Sequence, residues 1–369
     1  MESESIAWAS PILWGKEVDY VTAAITSSWI SGGPYIERFE EALARDLQVE
    51  HTLAVSNGTT ALHLSFLGLD LKPGDEIIVP GFGFLAAANI AINLGLVPVF
   101  ADVNMETWCI SAKDVREKIS SKTRAVVTIH TYGNISEIEE CAKLAKEHNI
   151  YLIEDSAEAL FSTASGKSAG NFGDVSTFSF HATKTVTTGE GGMVATNDSA
   201  LADRMKLIRS HGLRREIHYW HEIPGHNFRL TNFQAAMGCA QLEFKKTIIE
   251  ERGRVYRRYK NRIDDIPGLI IQKVPRECQP VIWTMGVRLD RSKISIRRDA
   301  VMNVLSDDGI ETRPGFYTPW SMSNIYDAEV RLPAAEEVSQ SVICLPLYPL
   351  LTNHQIDRIC DTLIFAISV

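Results

Sequence analysis

Short runs of apolar residues alternate with amphipathic stretches along the first part of the chain. Such alternation is typical of a mostly parallel sheet whose strands are joined by helices. Between two of these runs, segment 136–149 carries Ala, Leu and Ile at the spacing of one buried helix face. The predicted strands are 76–80, 97–103, 125–130, 151–156, 175–180 and 191–197.

Other stretches extend this pattern toward both ends of the chain. Residues 35–67 are helical in pattern, interrupted by the strand-like HTLAV, and 231–259 form a long amphipathic stretch. Beyond Pro267 and Gly268 the character changes, with strand-like runs followed by a helix at 297–309 and a closing helix. The pattern predicts an α/β fold with a large domain, 1–245 including an N-terminal arm, and a smaller C-terminal α+β domain, 246–369.

Composition and charge narrow the class of protein. Of 369 residues, 45% are hydrophobic and 22% charged, which is ordinary for a globular enzyme, and the net charge of -9 offers no basic field to a nucleic acid. Met1–Glu17 has no basic segment followed by an apolar one, so we expect a cytoplasmic protein that does not enter a membrane. Six cysteines lack CxxC or Cys/His spacing, which argues against a metal site and a disulfide framework.

Lys184 and Asp155 are candidates for chemistry because each follows or ends a predicted strand. Lys184 precedes the glycine-rich turn TTGEGG, at the sheet edge where open α/β proteins bind ligands. A single lysine is usually a solvated charge, so its neighbours decide the interpretation. Asp155 could hold the ring nitrogen of pyridoxal phosphate protonated, or it could cap a helix.

Three further features fit a flat, phosphorylated cofactor. SNGTTALHL at 56–64 leads into a helix, so its amides with Thr59 and Thr60 could bind phosphate, although a plain helix cap looks the same. Ser179 offers another hydroxyl. Phe84 could stack on a heteroaromatic ring or belong to the core. The sequence contains no GxGxxG or GxxxxGK[ST] motif, so a nicotinamide or P-loop site is rejected, and the lack of HExxH and GxSxG motifs argues against a zinc protease and a serine hydrolase.

At this point the sequence resembles the DegT-type sugar aminotransferases, within the fold type I pyridoxal-phosphate enzymes. The resemblance covers nearly the whole chain and includes WISGGPYIERFEE, SNGTTALHL, YLIEDSAEA, FSFHATKTVTTGEGGM, GHNFRLTNFQAAMGCAQLE, GIETRP and ICLPLYPLLT in that order. Within the family it is most similar to the GDP-perosamine synthases and related 4-aminotransferases. The resemblance implies a fold type I transferase with pyridoxal 5'-phosphate as its cofactor.

The resemblance also implies roles for individual residues. Lys184 would be the Schiff-base lysine, Asp155 the partner of the pyridinium nitrogen, and Glu158 a neighbour of the ring hydroxyl. Asn227 and Arg229 would reach across a homodimer interface to the partner's cofactor phosphate, or would lie in an ordinary surface loop. The remaining cofactor contacts implied are Gly58, Thr59, Thr60 and Ser179 at the phosphate and Phe84 on the ring.

Three positions bear on the substrate. The sugar 3-dehydratases of this family carry His in place of the Schiff-base lysine, but Lys184 fills that position here, so His181 is expected to pack behind the site or to touch the substrate. Gly83 and Trp320 stand where many relatives carry Thr and His, near the sugar-nucleotide pocket. Trp320 would either line that pocket or pack in the small domain.

The function implied is transfer of an amino group from L-glutamate to a nucleotide-linked keto sugar. A 4-keto-6-deoxy hexose such as GDP-4-keto-6-deoxymannose is the first acceptor to consider. After the amino donor displaces Lys184 from the cofactor, the freed amine would act as a base and move a proton. The alternatives are a cyclitol aminotransferase, a sugar 3-dehydratase and a non-catalytic cofactor-binding regulator.

Overall fold

The computed structural model describes residues 5–214, 217–327 and 329–368. A seven-stranded sheet forms its centre, with strand order β1-β7-β6-β5-β4-β2-β3. Only β7 runs antiparallel to its neighbours, so the carboxyl ends of the other strands meet at one edge. The strands are β1 (His51–Val55), β2 (Glu76–Pro80), β3 (Val97–Ala101), β4 (Thr123–Ile129), β5 (Tyr151–Asp155), β6 (Val175–Ser179) and β7 (Gly192–Thr196).

Helices cover both faces of this sheet, which explains why its strands read as continuous apolar runs. In β2, Ile77 and Val79 pack toward α3, α4 and α7, whereas Ile78 packs on the opposite face with α5 and α6. At the other end of the sheet, Ala54 packs on α2 and α8. The helices are α1 (Lys16–Thr26), α2 (Pro34–Leu47), α3 (Gly58–Gly68), α4 (Ala86–Asn93), α5 (Ala112–Lys118), α6 (Ile138–His148), α7 (Ser199–Arg209) and α8 (Asn232–Glu243).

The C-terminal part forms a second sheet with a core of its own. Its strands are all antiparallel, in the order β8-β9-β11-β10. Helices α9, α10 and α12 bury their apolar faces against it. These elements are α9 (Lys245–Ile263), β8 (Leu269–Ile271), β9 (Met285–Leu289), α10 (Arg298–Asp307), β10 (Arg313–Pro314), α11 (Pro333–Ser341), β11 (Val342–Leu345) and α12 (Asn353–Ser368).

Two segments connect the cores. Helix α9 begins at Lys245, its Ile248 packs in the core beside α2, and its Tyr259 packs in the second core. Ile6 pairs with Ile310 and lies in the second core, far in sequence from its neighbours there. The fold class predicted from the sequence is confirmed, and the domain boundary near residue 245 stays a prediction. Across the part of the chain described, no helix is both long and apolar enough to cross a membrane.

Candidate active site

Asp155 ends β5 at the edge where the parallel strands finish. Its side chain is buried, and its Oδ1 accepts a hydrogen bond from the Ala157 amide at 3.1 Å. Burial raises the pKa of Asp155, while the Ala157 amide and the electrostatic effect of nearby Lys184 and His130 oppose that rise. A carboxylate in such a place favours a positively charged or hydrogen-bond-donating partner.

Lys184 lies in the loop after β6 and brings its amine to a second buried acid. Its Nζ is 3.6 Å from Glu158 Oε1, and Glu158 Oε2 accepts a hydrogen bond from the Tyr132 amide at 2.8 Å. Burial raises the pKa of Glu158, and the attraction of Lys184 opposes it. Two buried carboxylates, Asp155 and Glu158, therefore face one ammonium group, which leaves negative charge to be balanced.

Two residues from the second half of the chain hold the Lys184 loop. Trp283 places its ring centroid 3.9 Å from the Lys184 Nζ, and its Nε1 donates to the Thr183 carbonyl at 2.7 Å. Arg252 on α9 donates to the carbonyls of Trp283 at 3.1 Å and Lys184 at 3.5 Å. Burial lowers the pKa of Arg252 to about 10. Neither residue is predicted from the sequence, because Trp283 lies in a strand-like run and Arg252 resembles any charged residue on an amphipathic helix.

The start of α3 lies beside the end of β6. Asn57 caps the helix, accepting from the Thr60 amide at 2.8 Å, and the Ser56 hydroxyl donates to Thr60 Oγ1 at 3.1 Å. A Cβ on Gly58 would stand 2.9 Å from Ser179 Cβ, so glycine lets the two elements meet. The segment SNGTTALHL can therefore be a helix cap and a phosphate site at once, because a capped helix still points its first backbone amides outward.

Phe84, which was predicted to stack on the cofactor ring, has 59% of its surface exposed. Its ring meets Phe316 edge-on at 6.1 Å. Gly83 before it has φ 152°, and a Cβ there would come within 2.9 Å of Ile129. A threonine at this position would be strained in this backbone, which accounts for glycine here.

A cavity of about 500 Å³ opens in front of Phe84. Six of its fourteen lining residues are aromatic, Tyr132, Trp283 and Phe316 among them, and Arg313 also lines it, in an ion pair with Glu311. Trp320 is outside the set of described residues lining it. Instead Trp320 packs against the large core, and its Nε1 donates to Glu336 at 2.8 Å, so the structure does not bring it to the cavity.

The other predicted residues lie at the surface of this chain. His181 is exposed, with Nδ1 3.0 Å from the Thr183 hydroxyl and Nε2 3.8 Å from Glu190. Asn227 and Arg229 are exposed and bonded to each other, Arg229 Nε donating to Asn227 Oδ1 at 3.1 Å. Their exposure leaves them accessible to a second chain.

The residues present fit pyridoxal phosphate. Asp155 accepts one backbone hydrogen bond, and no other hydrogen bond to its carboxylate is found in the described ranges, so an oxygen is available to a ring N–H. The excess negative charge of Asp155 and Glu158 suits a protonated ring, and the Gly58–Ser179 contact leaves helix amides for a phosphate. No group of three or more His, Cys, Asp or Glu among the described residues could hold a metal ion.

Comparison with known proteins finds sugar aminotransferases both in sequence and in structure. The chain is 40% identical to GDP-perosamine synthase of Escherichia coli O157:H7 over 354 residues, 96% of each protein, and 38% identical to that of Vibrio cholerae over 95% of this chain and 96% of the relative. Among solved structures, the aminotransferase TlmJ from Streptoalloteichus hindustanus superposes with a TM-score of 0.93 at 30% identity, covering 98% of this chain and 99% of the other. Residues 12–364 match the DegT/DnrJ/EryC1/StrS aminotransferase family. The resemblance found in the sequence is thus confirmed, and the chain belongs to this family of pyridoxal-phosphate-dependent sugar aminotransferases.

Proposed function

We propose that the protein moves an amino group from L-glutamate to a nucleotide-linked 4-keto-6-deoxy hexose, with GDP-4-keto-6-deoxymannose as the leading acceptor. The observation that carries this proposal is the 40% identity to a GDP-perosamine synthase along almost the full length of both chains. We place the reaction in the cytoplasm and in a homodimer with shared sites.

In this proposal Lys184 carries the cofactor and acts as the base. Once displaced by the amino donor, its Nζ takes a proton from the donor's α-carbon and delivers it to C4′ of the cofactor. In the second half-reaction it moves a proton from C4′ to the sugar carbon. Pyridoxal phosphate, when bound, supplies the electron sink that makes that carbon acidic. Asp155 keeps the proton on the ring nitrogen, and Glu158 stays 3.6 Å from Nζ, where its charge limits the places the amine can occupy.

The phosphate is assigned to the junction of α3 and β6. In this assignment Gly58 and Thr59 offer amides at the helix start, Ser179 lies beside Gly58, and Thr59 and Thr60 supply further hydroxyls from the first turn. Phe84 is exposed enough for one face to cover a flat ring.

The aromatic cavity supports a deoxy sugar over a free cyclitol. A cyclitol presents a hydroxyl at nearly every carbon, and each hydroxyl buried against an aromatic wall without a partner costs about 1–3 kcal/mol. A 6-deoxy hexose brings a methyl group that suits walls such as Phe316 and Tyr317.

A single experiment tests this assignment. The enzyme is first converted to its pyridoxamine-phosphate form, then mixed separately with GDP-, dTDP- and UDP-linked 4-keto-6-deoxy hexoses and a keto-cyclitol, while absorbance reports return of the aldehyde form. We expect the GDP-linked sugar to react with the highest kcat/KM and Lys184→Ala to react with none. Preference for another nucleotide would contradict the guanine assignment, and reaction with the cyclitol alone would contradict the substrate class.

The amino donor is tested in the other half-reaction, in which the aldehyde form of the enzyme accepts the amino group. L-glutamate should convert the aldehyde form to the amine form faster than L-aspartate or L-alanine. A sugar acceptor that releases ammonia in place of gaining an amino group would identify a dehydratase, which the presence of Lys184 argues against.

A further inference from the structure

Trp283 is the aromatic residue nearest to the reactive amine. It precedes β9, is 8% exposed, and lies 99 residues beyond Lys184 in the chain. Its ring centroid is 3.9 Å from the Lys184 Nζ, which is inside the range of a cation–π contact. This contact is nearly dry, because the Lys184 side chain is 14% exposed.

The indole ring is fixed from several sides. Its Nε1 donates to the Thr183 carbonyl at 2.7 Å, and its own amide donates to the Tyr132 carbonyl at 2.9 Å. Arg252 donates to its carbonyl at 3.1 Å, and Trp8 meets its ring edge-on at 5.5 Å. The ring cannot swing aside without breaking the hydrogen bond from its Nε1 to Thr183, so it forms a fixed wall of the site.

The charged groups around the Lys184 amine are two carboxylates and one guanidinium. Glu158, 3.6 Å away, and Asp155 attract the ammonium by charge. Arg252 carries a positive charge nearby, but its Nη2 donates to the Lys184 carbonyl at 3.5 Å and its Nη1 donates to other backbone carbonyls. Trp283 differs from all of these, because it attracts the cation through its ring face without offering an atom that can take the proton.

We propose that Trp283 is a positioning residue that receives the Lys184 amine on its indole face whenever that amine is not attached to the cofactor. A base that leaves the cofactor must stay beside the reacting carbon until it returns its proton. The ring stabilises the ammonium in place, while Glu158 Oε1 lies 3.6 Å from the same Nζ. The part of this inference that concerns catalysis rests on the proposed function, whereas the contact itself does not.

The contact is tested on the pyridoxamine-phosphate form of the full-length enzyme, in which Lys184 is unattached. Tryptophans with one to four ring fluorines are introduced at position 283 only, since fluorine weakens the ring face while the indole N–H remains. Acetic anhydride labelling of Lys184 is measured by mass spectrometry against Lys246, whose side chain is 90% exposed. We expect Lys184 labelling to rise stepwise, roughly three- to tenfold overall, as the ring releases the amine.

The same fluorinated residues at Trp320 serve as the matched control. They should leave Lys184 labelling unchanged, because that indole bonds Glu336 away from the cavity. Equal labelling along the whole series at position 283 would overturn the proposal.

Kinetics then test the positioning role. Trp283→Phe keeps an aromatic face and loses the bond to Thr183, whereas Trp283→Leu loses both. We expect Leu to lower the rate of the glutamate half-reaction at least tenfold more than Phe, with little change in KM. Equal losses in Phe and Leu would mean that the Thr183 bond is what matters, and the proposal would fail. Both measurements use glutamate only, so an error in the assigned sugar does not affect them.

Discussion

Replacing Asp155 with asparagine should stabilise the cofactor-free protein and lower the activity of the enzyme. The carboxylate is 5% exposed, shares one ammonium with Glu158, and accepts a single backbone hydrogen bond in the described structure. Asparagine has the same shape and no charge, so the cost of a buried, incompletely balanced anion disappears. The loss of attraction to Lys184 and of the charge on the Ala157 bond offsets part of that gain. The net gain should be about 1–2 kcal/mol at pH 8.

The sign follows from linkage. The pKa of Asp155 is raised in the folded protein, so the folded state holds this proton more tightly than the unfolded chain does. The contribution of Asp155 to the free energy of unfolding therefore falls as pH rises from the pKa in the unfolded chain, about 3.9, through the pKa in the folded protein. Above the folded pKa this contribution stays low. The advantage of Asp155→Asn should accordingly be small at low pH and grow to a plateau at higher pH.

Urea unfolding of both proteins without cofactor, at fixed protein concentration and at several pH values between 5 and 8, measures this difference. Asp203→Asn is the matched control, because Asp203 is exposed and its bond to Lys206 lowers its pKa. That variant should show no stabilisation that grows with pH. With cofactor and substrates, Asp155→Asn should lose about 10²–10³-fold in kcat, the scale of one preorganised electrostatic contact. A variant whose stability relative to the parent declines toward pH 8 would refute the charge argument.

Borohydride reduction of the holoenzyme should fix the cofactor to the peptide containing Lys184, and Lys184→Ala should bind the cofactor without transaminating; label elsewhere would overturn the assignment. Gly58→Ala should weaken cofactor binding about tenfold, because its Cβ would press on Ser179 at 2.9 Å, and a titration showing parental affinity would remove Gly58 from the phosphate site. Mixing Lys184→Ala with Asn227→Ala chains should restore activity that neither has alone, since one site of the mixed dimer then has both residues; no recovery would place Asn227 in its own chain's site. Arg252→Met should lower kcat through the loosened Lys184 loop while the urea midpoint changes little, because the lost carbonyl bonds and the relieved burial of charge oppose each other; an unfolded variant would contradict this.

The sequence could place the strands that carry chemistry because both faces of the sheet are buried. Segment 76–80 was predicted with the bounds that β2 has, and Asp155 and Ser179 fall at strand ends as expected. Since parallel strands end at one edge, residues at those ends must be neighbours. The helical stretch 231–259 was less well resolved, because the break at Phe244 between α8 and α9 leaves no mark on its amphipathic pattern.

Contacts that depend on packing between distant segments could not be read from the sequence. Trp283 approaches Lys184 only because α9 and the second sheet fold back on the loop after β6. Trp320 was left open between a pocket wall and a packed ring, and its bond to Glu336 on α11 favours packing. No periodicity encodes such pairings, since they are set by the arrangement of whole elements.

Opposite charge imbalances lie on the two sides of the Lys184 loop. On the cofactor side, Asp155 and Glu158 are buried with a single ammonium between them. On the other side, Arg252 is buried at 3% exposure, and its hydrogen bonds in the described structure go to backbone carbonyls rather than to a carboxylate. Backbone carbonyls cannot lose or gain a proton, so Arg252 holds the loop equally in every step of the reaction. The acids, by contrast, face the place where charge arrives and leaves in the proposed reaction.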